Sequence, residues 1–72
     1  MKERQIEQSH IEQVLASPTQ TIDVRFSRRA SFGNVNGRRL LVIYEINANE
    51  VEVVTAFWIN EDGLRKYGFT RV

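Results

Sequence analysis

Asn36-Gly37, set between two stretches that can both run as strands, constrains this chain more than any other pair of residues. A type I′ hairpin turn needs positive φ at both central positions, and Asn-Gly supplies them at little cost. The turn predicts a hairpin of 30–35 with 38–46 that closes at Val35 opposite Arg38, with Phe32 opposite Leu41 and Ala30 opposite Ile43. A second turn centred on Ala48-Asn49 adds a strand through residue 59, with Ile46 opposite Val51 and Tyr44 opposite Val53. Upstream, 21–26 sets Ile22, Val24 and Phe26 on one side and Thr21, Asp23 and Arg25 on the other, the pattern of a half-buried strand.

Ahead of the strands the pattern turns helical. Ser9 and Glu12 fit a capping box, which starts a helix near His10 with Ile11, Val14 and Leu15 on one stripe. Pro18 biases Ser17 toward an extended backbone and ends that helix. Residues 1–7 read as the tail of an earlier helix whose one buried contact is Ile6. The expected fold is α+β: short N-terminal helices packed on a four-stranded antiparallel meander sheet, forming one domain over 1–60. A tail over 61–72 is either disordered or helical.

Unbroken alternation divides the sheet residues between two faces. One carries Leu40, Val42, Tyr44, Ile46, Val51, Val53, Thr55 and Phe57; the other carries Phe32, Leu41, Ile43, Val54, Ala56 and Trp58. Two short helices cover one face and scarcely two, so Phe32, Leu41, Ile43 and Trp58 are expected to form a partner interface. The candidate covers are the tail from Asn60, a second copy of the chain, or a different protein. A homodimer or hetero-complex is therefore expected. Gly33, inside a strand, marks a bulge or a close backbone approach.

At 72 residues without cysteine, the chain holds one domain and has neither a disulfide framework nor a thiolate metal site. A metal constellation, a Gly-rich phosphate loop and a nucleophile elbow are absent from the sequence, so no metal and no cofactor is expected. Nor does any apolar run approach the ~20 residues of a membrane span, and the expected setting is cytoplasmic without membrane association. The net charge of +1 predicts no polyanion partner by itself, and its distribution says more. Arg25, Arg28, Arg29, Arg38 and Arg39 fall in a stretch without an acidic residue, whereas five of the nine acids lie between Glu45 and Asp62. The cluster is either a solvated hairpin with chance arginine clustering or a phosphate-contacting ridge, which the planar guanidinium fork would suit; on the second reading Arg25, Arg28, Arg38 and Arg39 are the expected RNA-binding residues.

Ile6, Ile11-Glu12-Gln13-Val14-Leu15, Pro18, Asn36-Gly37-Arg38-Arg39-Leu40, Val42-Ile43-Tyr44 and Val53-Val54-Thr55-Ala56-Phe57-Trp58 resemble a small bacterial domain of unknown function. That domain is similar to the RelE-like and BrnT-like toxins of toxin–antitoxin systems. The resemblance spans roughly 1–60. It implies a curved antiparallel sheet beside N-terminal helices, RNA or the ribosome as target, and an antitoxin protein as partner. Arg4 matches the arginine of the family's Glu-Arg pair, and Arg38 and Arg39 match its basic residues after the hairpin glycine. Similar domains carry a first strand and a His-Ala start ahead of this point, which leaves open whether the chain is shortened and whether it cleaves RNA.

Cleavage by 2′-hydroxyl attack needs a base, positive charge for the phosphorane and an acid for the leaving oxygen. Related toxins use Arg, Lys and Tyr. Here Arg25 and Arg39 are candidates for the charge, Lys66 or Glu45 for the base, and Tyr44 or Tyr67 for the donor, while no catalytic residue is assigned. The structural alternatives are a core ring for Tyr44, cross-strand ion pairs for Glu45 and Glu52, and a helix-start position for His10. Trp58 either stacks a base or belongs to core or interface. Two functions follow: a toxin-like RNA-binding or RNA-cleaving domain, or a non-catalytic interaction module working through an apolar sheet face.

Overall fold

The computed structural model describes residues 6–71. Its elements are α1 (Gln8–Ala16), β1 (Gln20–Val24), β2 (Arg28–Val35), β3 (Arg38–Asn47), β4 (Glu50–Ile59) and α2 (Glu61–Tyr67). The strands pair antiparallel in the order β1-β2-β3-β4, the expected meander. Val35 opposes Arg38, Phe32 opposes Leu41, Ala30 opposes Ile43, Tyr44 opposes Val53 and Ile46 opposes Val51, as the turn signals predict.

All three hairpin turns carry two successive positive φ values: Phe26 and Ser27 (62° and 59°), Asn36 and Gly37 (53° and 81°), Ala48 and Asn49 (48° and 74°). This mirror-image turn matches the right-handed strand twist, and the first turn shortens β1 relative to the expected strand. Phe26 consequently leaves the row of Ile22 and Val24 and stands 78% exposed.

α1 begins earlier than the Ser9–Glu12 box predicts. Its N-cap is Glu7, and the Glu7 N–H donates to His10 Nδ1 at 3.2 Å. An imidazole acceptor three residues on thus does the reciprocal work that Glu12 was expected to do. Ile6 and Glu7 are not helical, and the rest of the expected helix tail, with Arg4, lies outside the described residues. α1 ends at Ala16 with Pro18 two residues beyond. Ile6, Ile11, Val14 and Leu15 pack on one sheet face with Val35, Leu40, Val42 and Tyr44. Gly33 lets α1 come close: a Cβ there would lie 3.4 Å from Val14 Cγ2 and 3.6 Å from its Cα. The Tyr44 hydroxyl is 3.1 Å from Ser31 Oγ, which is 2.8 Å from Thr21 Oγ1, so three strands share a chain of satisfied hydroxyls.

The alternation along β4 is broken. Tyr44 opposes Val53 but Ile43 opposes Thr55, so Val54 is an extra residue and everything after it turns over. Trp58 and Ala56 therefore join the α1 face, and Phe57 and Ile59 join the opposite one. This corrects the expected grouping of Trp58 with Phe32, Leu41 and Ile43.

α2 and the segment after it cover that opposite face. Asn60 caps α2, its Oδ1 accepting from the Gly63 N–H at 2.9 Å, and Gly68 ends it at φ 111°. The Phe69 N–H returns to the Leu64 carbonyl at 3.1 Å, a Schellman-type ending that turns Phe69 inward. Leu64 and Phe69 pack with Ala30, Phe32 and Leu41, and Phe69 meets Phe32 edge-on at 4.8 Å. Gln20 fastens the end of the chain, its Oε1 accepting from the Thr70 and Arg71 N–H groups. Phe32 and Leu41, expected at an interface, are thus 3% and 0% exposed, and Ile43 is half-buried beside them. Among the described residues no helix is long and apolar enough to cross a membrane.

Candidate nucleic-acid interface

The antiparallel register separates the four arginines expected to bind RNA. Arg25 and Arg28 stand at the β1–β2 turn, and Arg38 and Arg39 at the opposite end of β2 and β3, roughly 23 Å away for seven residues of strand. The pleat also divides the second pair. Arg38 lies on the α1 face with its guanidinium 5.1 Å from the Trp58 ring centre, whereas Arg39 pairs with Ile59 and alternates to the other face. His10 meets Trp58 from α1 at 5.8 Å. Trp58 is therefore a half-buried packing ring between a helix and an arginine.

At the other end the chain brings together residues from β1, β2, β3 and α2. Asp23, Val24, Arg25, Phe26, Arg28, Ile43, Lys66 and Tyr67 line an open groove of about 690 Å³. β1 and its turn build one wall, and the last turn of α2 builds the other. No carboxylate pairs with Arg25 or Lys66 among the described residues. Arg28 donates from Nε to Glu45 at 2.8 Å, and this contact holds the Glu45 carboxyl below its ordinary value of 4.5. The Arg28 guanidinium also lies 5.9 Å from the centre of the Phe26 ring. Arg29, on the other side of the strand, pairs with Asp23 at 3.5 Å.

Tyr67 is 40% exposed and tilts against Phe57 at 6.3 Å, which fixes its ring while its surface faces the groove. Of the residue types a ribonuclease site needs, the groove collects Arg25, Lys66 and Tyr67. Glu45 is turned to Arg28, Tyr44 is buried on Ser31, and Arg39 stands at the far end of the sheet. Glu52, directly opposite Glu45, takes its hydrogen bond from Asn47 and not from an arginine. Among the described residues no group of three metal-ligating side chains forms.

Sequence reasoning treated Lys66 and Tyr67 as part of a tail and Phe26 as a strand residue. The signals that place them were present: Asn60 before Glu61-Asp62 and Gly68 after Lys66-Tyr67 are a helix start and stop. Nothing in Arg25-Phe26-Ser27-Arg28 announces a turn with two positive φ values, because the Asn, Asp or Gly that usually marks one is missing.

No curated protein and no solved structure shows a significant match to the chain. The profile of a family described as a domain of unknown function (DUF4258) matches residues 1–58, and with four-fifths of its length covered the chain belongs to that family.

Proposed function

We propose that this chain is a toxin-like RNA-binding domain that holds the RNA backbone in the groove between the β1–β2 turn and α2. The observation that carries the reading is the convergence of Arg25, Arg28 and Lys66 around one open groove, with Phe26 and Tyr67 interleaved. Cations arranged along a groove with exposed rings among them suit a flexible, singly stranded polyanion. Kinship with RelE-like and BrnT-like toxins is part of the proposal, supported by the hairpin and strand motifs quoted above. Binding, and not turnover, is the activity proposed. The test is the affinity for a short labelled RNA as salt is raised. Engagement of two or three phosphates gives a log–log slope of about −1.4 to −2.1. Arg25→Ala with Lys66→Ala should flatten that slope and weaken binding, and a slope near zero in the unmodified chain would reject the reading.

A second reading rests on a different observation. Ile46, Val51, Val53 and Val54 are 40–53% exposed toward the turn of the β3–β4 hairpin, at the same end of the sheet as the β1–β2 turn, and β4 is an open edge. An interaction module would use this strip, and it is where an antitoxin chain would seat. Val51→Lys with Val53→Lys abolishes such an association and leaves RNA binding at the other surface unchanged.

A further inference from the structure

We propose that Phe26 is a stacking platform for one unpaired nucleobase, so that the groove selects single-stranded over duplex RNA. This inference rests on the RNA-binding reading above and adds the group that recognises the base. Neither its backbone conformation nor core packing accounts for Phe26 at this position. It occupies the first of two left-handed positions in its turn, at φ 62°, where a bulky side chain is strained and Asn, Asp or Gly is comfortable. The other two hairpin turns use Asn36-Gly37 and Ala48-Asn49 at the matching places, so small or left-handed-tolerant residues are available to this fold.

The ring gains nothing from the core either. It is 78% exposed, the most exposed of the large hydrophobic side chains among the described residues, while Ile22 and Val24 of the preceding strand pack against the cluster of Phe32, Leu41 and Leu64. The Arg28 guanidinium lies 5.9 Å from the ring centre, near the outer limit of a cation–π interaction. A strained backbone that displays an aromatic face to water, directly beside Arg25 and across a groove from Lys66, matches what single-strand binders require. The cations hold the phosphates, and the ring takes the π-face of a base, any base, once it is unstacked. In a duplex the base faces are already occupied by their neighbours, and only the cations would contribute.

The experiment compares a short labelled RNA strand with its duplex, using the full chain and the variants Phe26→Asn and Phe26→Trp. The unmodified chain should bind the single strand more tightly. Phe26→Asn should weaken single-strand binding by about 5- to 150-fold, the range of one lost base stack. Duplex affinity and the salt slope should not change, and the melting temperature should hold or rise, because Asn suits the left-handed backbone. Phe26→Trp should keep the single-strand preference. Single-strand affinity unchanged in Phe26→Asn, with the salt slope intact, overturns the stacking role alone and leaves Phe26 to a protein contact. Salt-independent or undetectable binding by the unmodified chain overturns the groove reading and this inference together.

Discussion

Arg28 and Glu45 oppose each other across β2 and β3, and what the arginine offers a ligand depends on that carboxylate. The pair holds Glu45 below its ordinary value of 4.5. A carboxyl with a depressed folded-state value contributes stability above its unfolded value and loses it as pH falls through the folded one. Glu45→Gln should therefore melt below the unmodified chain at neutral pH, with the gap closing as pH falls below 4.5. The same variant frees Arg28, so its RNA affinity should rise and its salt slope should steepen by about 0.7. Weaker RNA binding in Glu45→Gln would show that the carboxylate serves the ligand and not the arginine. Gly33 offers a purely structural test. Its hydrogen faces Val14 at van der Waals distance, so Gly33→Val drives methyl groups into the α1 backbone and should cost about 1–3 kcal/mol in denaturant unfolding. A neutral result would mean that α1 slides freely on the sheet.

At the scale of elements, β4 decides which rings share a face. Val54 is the inserted residue, and both flanks already have their final orientation: Val53 with Tyr44 above it, Thr55 with Ile43 below. Deleting Val54 removes the bulge without turning either flank over, so the shortened strand should fold and keep the Trp58 emission of the unmodified chain. Inserting one alanine after Val54 turns Ala56 and Trp58 away from α1, and the emission should shift to the red with loss of cooperative unfolding. Unfolding on deletion would show that the bulge itself, through the twist it adds, holds the sheet together. This element also marks where the fold stops being legible. The register around Asn36-Gly37 and Ala48-Asn49 follows from turn chemistry, because those residues accept positive φ. The bulge has no such signature: Glu50 to Trp58 alternates plausibly under either grouping, and only the packing of Trp58 under α1 against Phe57 under α2 separates them. The groove was half legible for the same reason. Arg25, Lys66 and Tyr67 are of the right chemical type on sight, but their meeting depends on where α2 lies.

For the molecule as a whole, the apolar surface of the sheet exceeds what α1 can shelter, and the excess is met from within the chain. Leu64 and Phe69 close the face of Phe32 and Leu41, and both belong to the segment beyond residue 58, where the family match ends. The same helix that seals this face carries Lys66 and Tyr67 to the groove, so the cover and one wall of the ligand surface are a single element. Stability and binding should consequently fail together when α2 is lost. A chain ended at Asn60 uncovers Phe32, Leu41 and Phe57, and is expected to bind an apolar dye strongly and associate as concentration rises. Leu64→Ala alone removes the buried centre of the contact at about 2–5 kcal/mol and should weaken RNA binding in proportion to the fraction unfolded. Arg25→Ala with Lys66→Ala separates the two roles, since it strips the groove of charge while leaving Leu64 and Phe69 in place; its melting temperature should be unchanged. A chain ended at Asn60 that stays monomeric, dye-free and cooperatively folded would show that the sheet does not need α2, and that Lys66 and Tyr67 meet the groove only by proximity.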